Sequence, residues 1–463
     1  LRARDPSRNP ARYVSNRMAV LPFLRKGQAI PAEHRHNFWH LYLDIAWYGV
    51  LNASAISFVA VFAARQGGTA FHLGLLSAGP AIVNLLLTLP AGQWLGKRQI
   101  DRSVFWTSVW HRLFYLPWVF LPLLLASHVQ VWTLIGLTLL MSIPGTALAV
   151  GFNALFATAV PPEWRGHVAG VRNSLLAVVF IVTSLLCGAI LEYLPFEAGY
   201  QVVFALGFLG AMLSSYHLWR IRLPLSAAGG VGNGAGHGGA VNGATGHGLG
   251  DLVQPGTARA GGHNLRTSVG LRYLTRRLRL QVGLLRNGYG RVVALLFAFH
   301  LAQFLAIPLF PLYWVERLRL SDQTISLGNA IFFVAVLLGS LQLAHLTRRL
   351  GHRRLLALGV SIMGFYPLLT TLTRTEAVFL ATAVVGGLGW SLVGGAIANY
   401  LLERIPDDNR PAYLAWYNLG LNAAILLGSL GGPLLVEPLG LVPVLLLATA
   451  GRFLVALSIW RWG

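Results

Sequence analysis

VPPEWRGHVAGVRNS, residues 160–174, stands between two long apolar runs, and a relative of it returns as IPDDNRPAYLAWYNL, residues 405–419. Pro161, Arg165 and Asn173 keep the mutual spacing of Pro406, Arg410 and Asn418, each displaced by 245 positions. Asn153 and Asn399 form one more pair, displaced by 246. A polar hinge written twice predicts a duplicated architecture, and the rest of the chain supplies the test.

Of the 463 residues 55% are hydrophobic and only 11% charged, with a mean hydropathy of +0.60, outside the usual range of soluble domains. A bilayer core about 30 Å thick takes roughly 20 apolar residues per helix. Such runs are expected at 38–62, 72–95, 104–126, 129–157, 166–191, 199–221, 289–316, 322–346, 353–372, 376–402, 411–435 and 440–461. The reading is an all-α integral membrane protein of twelve spans, with the cut between the third and fourth near His128 the least defined.

The net charge of +21 is distributed by side rather than by motif. If the amino terminus is cytoplasmic, thirty of the thirty-six Lys and Arg residues fall in cytoplasmic segments or the span ends beside them. Only Arg65, Arg317, Arg319 and Arg374 fall on the other side, while Arg452 and Arg461 belong to the last span. This is the positive-inside pattern and predicts a multi-pass protein of the inner (plasma) membrane with both termini cytoplasmic. Nucleic acid is not an expected partner, since no soluble face combines basic and aromatic residues. Cys187 is the only cysteine, so intramolecular disulfides and thiolate-rich metal sites are excluded. Residues 1–37 lack a signal-peptide core, MAVLPFL being short and flanked by arginines. The first residue is Leu1; a non-Met start, a trimmed fragment and a start at Met18 all fit.

The expected organisation is a basic arm (1–37), a six-helix bundle (38–221), a cytoplasmic linker (222–288) and a second six-helix bundle (289–463). The linker opens with the Gly-rich GGVGNGAGHGGAVNGATGHGLG, too poor in apolar surface to fold. Further on, Leu271, Leu274, Leu278, Val282 and Leu285 keep helical spacing while Arg272, Arg276, Arg279 and Arg286 take another face. That stretch reads as an interfacial helix on anionic headgroups or as a basic linker. Trp219–Arg220 matches Trp460–Arg461, Gln93 matches Gln342 and Asn52 matches Gln303, at displacements of 241 to 251. Two parallel halves of six helices follow.

On these features the chain resembles a major facilitator superfamily transporter over roughly residues 38–461, with basic turns after spans two and eight. LTRRLGHRRLLAL carries the later part of the family's turn motif in Arg349, Gly351, Arg353 and Arg354, with Arg348 where the acid is expected. The first-half turn offers Gly92, Lys97, Arg98 and Arg102, and Asp101 comes too late to be its acid. Span four has no charged residue where many proton-coupled members carry an Arg, and span five does not match the Gly-rich motif of drug antiporters, so no subfamily is indicated.

Ionisable groups within spans cost about 2.5–3.5 kcal/mol each on insertion scales and point to function or to a partner. Asp44, Arg112 and Arg172 lie at one depth, so Asp44 is expected to neutralise one of the arginines. A structural pair, snorkelling, or a coupling or gating role all remain open. Arg452 lies nearer mid-span, with backbone carbonyls, water or an anionic group as its partners. Arg165, Arg410 and Arg349 are gating candidates at the turns, with helix-start anchoring the plain alternative for the first two. By the resemblance, spans one, four, seven and ten face the central cavity. Asn52, Asn153, His300, Gln303, Trp390 and Asn399 are then the candidate substrate contacts, although such side chains also tie helices together at about 0.6 kcal/mol each.

Gly234, Gly236 and Gly239 spell GxGxxG with neither strand nor helix around them, and no P-loop, HExxH or GxSxG is present. The linker histidines His237, His247 and His263 are spaced too loosely to indicate a metal site. The expectation is a non-enzymatic, monomeric secondary or facilitative transporter of a small solute, without cofactor, working by alternating access and touching anionic lipid. The alternative is a transporter-like factor that assembles or stabilises a membrane complex.

Overall fold

The computed structural model describes residues 31–223, 282–286, 288–405 and 410–463, which are helical almost throughout. The amino arm to residue 30, residues 224–281 with most of the expected interfacial helix, and residues 406–409 of the second hinge lie outside the described residues. Among the described residues, ten helical stretches are long and apolar enough to cross a membrane. Span 1 is Ala32–Arg65, span 2 Ala70–Leu95, span 4 Ser127–Ala159, span 5 Pro162–Tyr193 and span 6 Phe196–Trp219. Span 7 is Tyr289–Arg317, span 10 Glu376–Glu403, span 11 Tyr413–Leu439 and span 12 Leu441–Trp462.

The tenth stretch, Asp322–Leu372, holds two spans. At about 1.5 Å per residue its length would reach well past one bilayer. Gly351 breaks it, with φ 72° and ψ 164°, a backbone region that a side chain forbids. Spans 8 and 9 are its two arms. Span 3 is not one long helix but is cut into Ile100–Leu113 and Leu116–Leu124. Pro117 has no N–H to offer the Leu113 carbonyl four residues back, so the helix restarts there. With the long helix divided and the broken third span added, the ten stretches become the twelve crossings expected.

Packing repeats with a shift of six. Span 1 lies against spans 5 and 6, and span 7 against spans 11 and 12; span 2 lies against span 4, as spans 8 and 9 do against span 10. The bundles meet along two seams, span 5 on span 8 and span 2 on span 11, which the same shift exchanges. Small residues permit both approaches. A Cβ on Gly188 would lie 2.6 Å from Ser326 Cβ, and one on Gly74 would lie 2.7 Å from Pro433 Cγ. Ser184, at the first seam, and Ser429, at the second, stand 245 residues apart, the offset of the duplicated hinge.

The cores show which end is shut. At the ends of the spans away from the chain termini, Phe58, Phe62, Trp118 and Phe204 of the first bundle pack in one cluster with Phe310, Trp314, Ile325 and Phe379 of the second. On the face that carries the chain ends, here the basic face, the cores are separate. Phe38, Leu41, Val104, Leu155 and Leu218 form one, while Tyr289, Leu355, Tyr400 and Tyr417 belong to the other. The bundles therefore share one core at the far face, while at the basic face each keeps its own, with Ala81 of span 2 reaching the second.

Candidate functional site

The first bundle buries three charges together. Asp44 of span 1 accepts a hydrogen bond from Arg172 Nη1 of span 5 on Oδ2 at 3.1 Å and from Ser214 Oγ of span 6 on Oδ1 at 2.5 Å. Arg112 Nη2 of span 3 stands 3.9 Å from Oδ1, and its Nη1 donates to Ser215 Oγ at 2.7 Å. The sequence foresaw one partner for Asp44; the structure gives it two. The three side chains are only 4–8% exposed, so neither arginine snorkels to the headgroups. Because one carboxylate faces two guanidinium groups, the excess positive charge is met by dipoles and a π face. Arg172 also donates to the Leu41 carbonyl and lies 4.9 Å over the Phe152 ring.

The second bundle handles its deep charge differently. Arg452 of span 12 is fully buried and forms no ion pair among the described residues. Its Nη1 donates to the Met363 carbonyl of span 9 at 2.7 Å, and Nη2 to the Gln303 carbonyl of span 7 at 3.3 Å. Met363 lies four residues before Pro367, which has no N–H to return, so the guanidinium fills an acceptor left open inside a helix. Of the partners considered for Arg452, backbone carbonyls are those observed.

The candidate substrate contacts divide into two kinds. Asn52, His300 and Gln303 are buried. Asn52 opens the π-helical turn Asn52–Ile56, where its carbonyl accepts from Ser57 Oγ at 2.9 Å, and His300 Nε2 lies 3.3 Å from Tyr417 Oη. Asn153, Trp390 and Asn399 are half-buried, and the two asparagines make the same hydrogen bond. Asn153 Nδ2 donates to the Ala149 carbonyl at 2.9 Å and Asn399 Nδ2 to the Gly395 carbonyl at 3.3 Å, so the symmetry of the repeat extends to side chains on spans 4 and 10. Trp390 packs against both the core of the second bundle and the mid-depth cluster of Ile45, Phe180 and Phe333 that joins the bundles.

Among the gating candidates, Arg165 Nη2 and Nε donate to the Ala157 and Val160 carbonyls at 2.6 and 3.1 Å, capping the end of span 4. Arg349 is exposed, and the side chain of Arg410 lies outside the described residues. Sequence reading missed a contact on the closed face, where Arg65, Tyr200 and Asp322 meet. Arg65 stood out only as one of four arginines on the minority side; its partner lies 257 residues away.

Residues 292–463, covering most of the second bundle, match the Major Facilitator Superfamily. The chain has the fold of that superfamily. A bacterial homologue of the iron transporter ferroportin in its inward-facing state superposes with a TM-score of 0.65 at 15% identity, covering 94% of this chain and 99% of that one. The xylose transporter XylE from E. coli, in a partially occluded inward-open conformation, gives 0.63 at 15% identity over 92% and 97%. The nucleoside transporter NupG gives 0.61 at 11% identity over 93% and 99%. The ferroportin homologue in its outward-facing state scores 0.55 at 15% identity. A comparison with curated protein sequences returns no match.

Proposed function

We propose that the protein is a secondary or facilitative transporter that carries a small neutral solute by rocking its two bundles, and that the basic face is cytoplasmic in the plasma (inner) membrane. The observation that carries this reading is the pair of exchangeable seams with a joined core at one face and divided cores at the other. A fold that can exchange equivalent contacts has two states of similar construction, as alternating access requires. Thirty of the thirty-six Lys and Arg fall in segments of one sequence-assigned side or the span ends beside them, which supports a cytoplasmic reading of that side and of the termini. Anionic headgroups are then its neighbours, and a single chain suffices as the working unit.

The solute class rests on where the charges went. Asp44, Arg112, Arg172 and Arg452 are all turned inside their own bundles, which leaves polar Asn153 and Asn399 and aromatic Trp390 as the accessible candidates. Similar folds serve iron, xylose and nucleoside transporters, so the fold itself does not choose the solute. No observation favours the assembly-factor reading, and no enzymatic group is needed. The test is thermal stabilisation of the purified protein by sugars, polyols and nucleosides against carboxylates and amines, followed by flux of any stabilising solute into proteoliposomes. Neutral solutes should raise the melting temperature; stabilisation only by ions would overturn the solute class, and no flux with any binder would overturn transport.

A further inference from the structure

Resting on the alternating-access reading, we infer that Arg65, Tyr200 and Asp322 form a one-sided latch that holds the face opposite the basic one shut and sets the resting state. Arg65 lies in the last turn of span 1 and Asp322 in the first turn of span 8. The negative pole of one helix therefore carries the cation and the positive pole of the other the acid, so both dipoles favour their own charge. Arg65 Nε donates to Asp322 Oδ1 at 2.9 Å, Arg65 Nη2 to the Leu320 carbonyl at 2.6 Å, and Tyr200 Oη to Asp322 Oδ2 at 3.0 Å. The pair ties one bundle to the other.

Two features set it apart from an incidental surface pair. The side chains are 23% and 10% exposed, over a core that contains the fully buried Tyr200, so solvent screens them less than a surface pair. Both acceptors also flank a constrained turn. Arg319 has φ 51°, a left-handed conformation uncommon for a residue with a side chain, and the Leu320 N–H is held by the Trp314 carbonyl at 3.0 Å.

The repeat shows that the latch is single. A displacement of 252 takes Arg65 to Arg317 and Ala70 to Asp322. At the symmetry-related place an arginine again ends a span, but the helix start beside it offers alanine instead of an acid. Arg317 is exposed and forms no ion pair among the described residues. On the basic face the early acids of both turns are missing, and no described ion pair there joins the bundles. Arg65–Asp322 is thus the one inter-bundle ion pair among the described residues, and it lies on the closed face.

The protein contains its own reporter. Cys187, fully buried, is adjacent to Gly188 and three residues from Ser184, both on the seam between spans 5 and 8. Labelling of the purified full-length chain by a water-soluble maleimide therefore measures parting of that face. Arg65→Gln and Asp322→Asn should each speed labelling by about tenfold, the factor equivalent to 1.4 kcal/mol. The double variant should label no faster than either single one, because both remove the same contact. The exchanged pair R65D/D322R should return toward the native rate, and Arg317→Gln should leave the rate unchanged. Native labelling rates in both single variants, or multiplicative rates in the double, overturn the latch. If the single variants label fast because they have lost their fold, the exchanged pair decides: a rate restored with cooperative melting supports the latch, and a rate like that of the singles overturns it. The assay needs no solute. Flux with unaltered labelling would remove the latch and leave transport, whereas latch behaviour without flux for any solute would do the reverse.

Discussion

The two bundles, built from one repeated plan, accommodate buried arginine in opposite ways. In the first, Arg112 and Arg172 converge on the carboxylate of Asp44, with Ser214 and Ser215 completing the shell. In the second, Arg452 meets no acid among the described residues and is held by carbonyls of spans 7 and 9, one of them freed by Pro367. A buried cation needs oriented negative charge around it, and a full counter-charge is only one source. An interrupted helix is another. The first solution depends on a single residue shared by two cations; the second is spread over backbone that substitution does not remove.

That difference predicts unequal fragility. Asp44→Asn should produce the largest loss, about 3–5 kcal/mol, because it strands two buried arginines at once. Unfolding of the detergent-solubilised protein in increasing denaturant measures it, and a shift no greater than that of a surface control would remove the distinction between the bundles. Arg452→Met removes the charge together with its burden and strands chiefly the Met363 carbonyl, at about 1–3 kcal/mol. Adding Pro367→Ala restores an N–H for that carbonyl, so R452M with P367A should be less damaged than R452M alone; additive losses in the double-mutant cycle would contradict the proline argument.

The turns sharpen the contrast further. Gly351 joins spans 8 and 9 with positive φ, whereas Gly96, after span 2, has φ −62° and ψ −16°. Gly351→Ala should cost at least about 1 kcal/mol. Gly96→Ala should be neutral or stabilising by up to about 1 kcal/mol through the unfolded chain, and equal responses in thermal melts would mean that the two basic turns are built alike. The smallest effect is expected from Arg165→Ala, about 0.3–1 kcal/mol for a cation at the end of span 4. If solute flux collapses in that variant while its melting curve is unchanged, Arg165 acts in gating and not as a cap.

Much of the architecture was legible because each feature is local or recurs. Apolar runs, basic turns and the offset of 245 can be counted on the chain. The depth of Asp44, Arg112 and Arg172 followed from helical rise, and with it their proximity. Their geometry did not follow: Asp44 meets Arg172 across 128 positions and Ser214 across 170, and only the packing of spans 1, 5 and 6 sets which oxygen faces which donor. Asn52 and Gln303 were singled out as matched polar residues, yet spacing along a helix does not say whether the side chain turns to a cleft or to a neighbouring helix. Here both are buried.

The chain alone determined the number of crossings, the duplication and the charged side, because lipid requires each span to be long and apolar and because duplication leaves a recurring offset. Tertiary structure decided the rest: the two partners of Asp44, the service of Arg452 to a carbonyl opened by a proline, and the meeting of Arg65 with Asp322 across 257 residues. Those contacts depend on how helices rotate and which face of the molecule is shut, and such quantities arise only when twelve helices pack against one another.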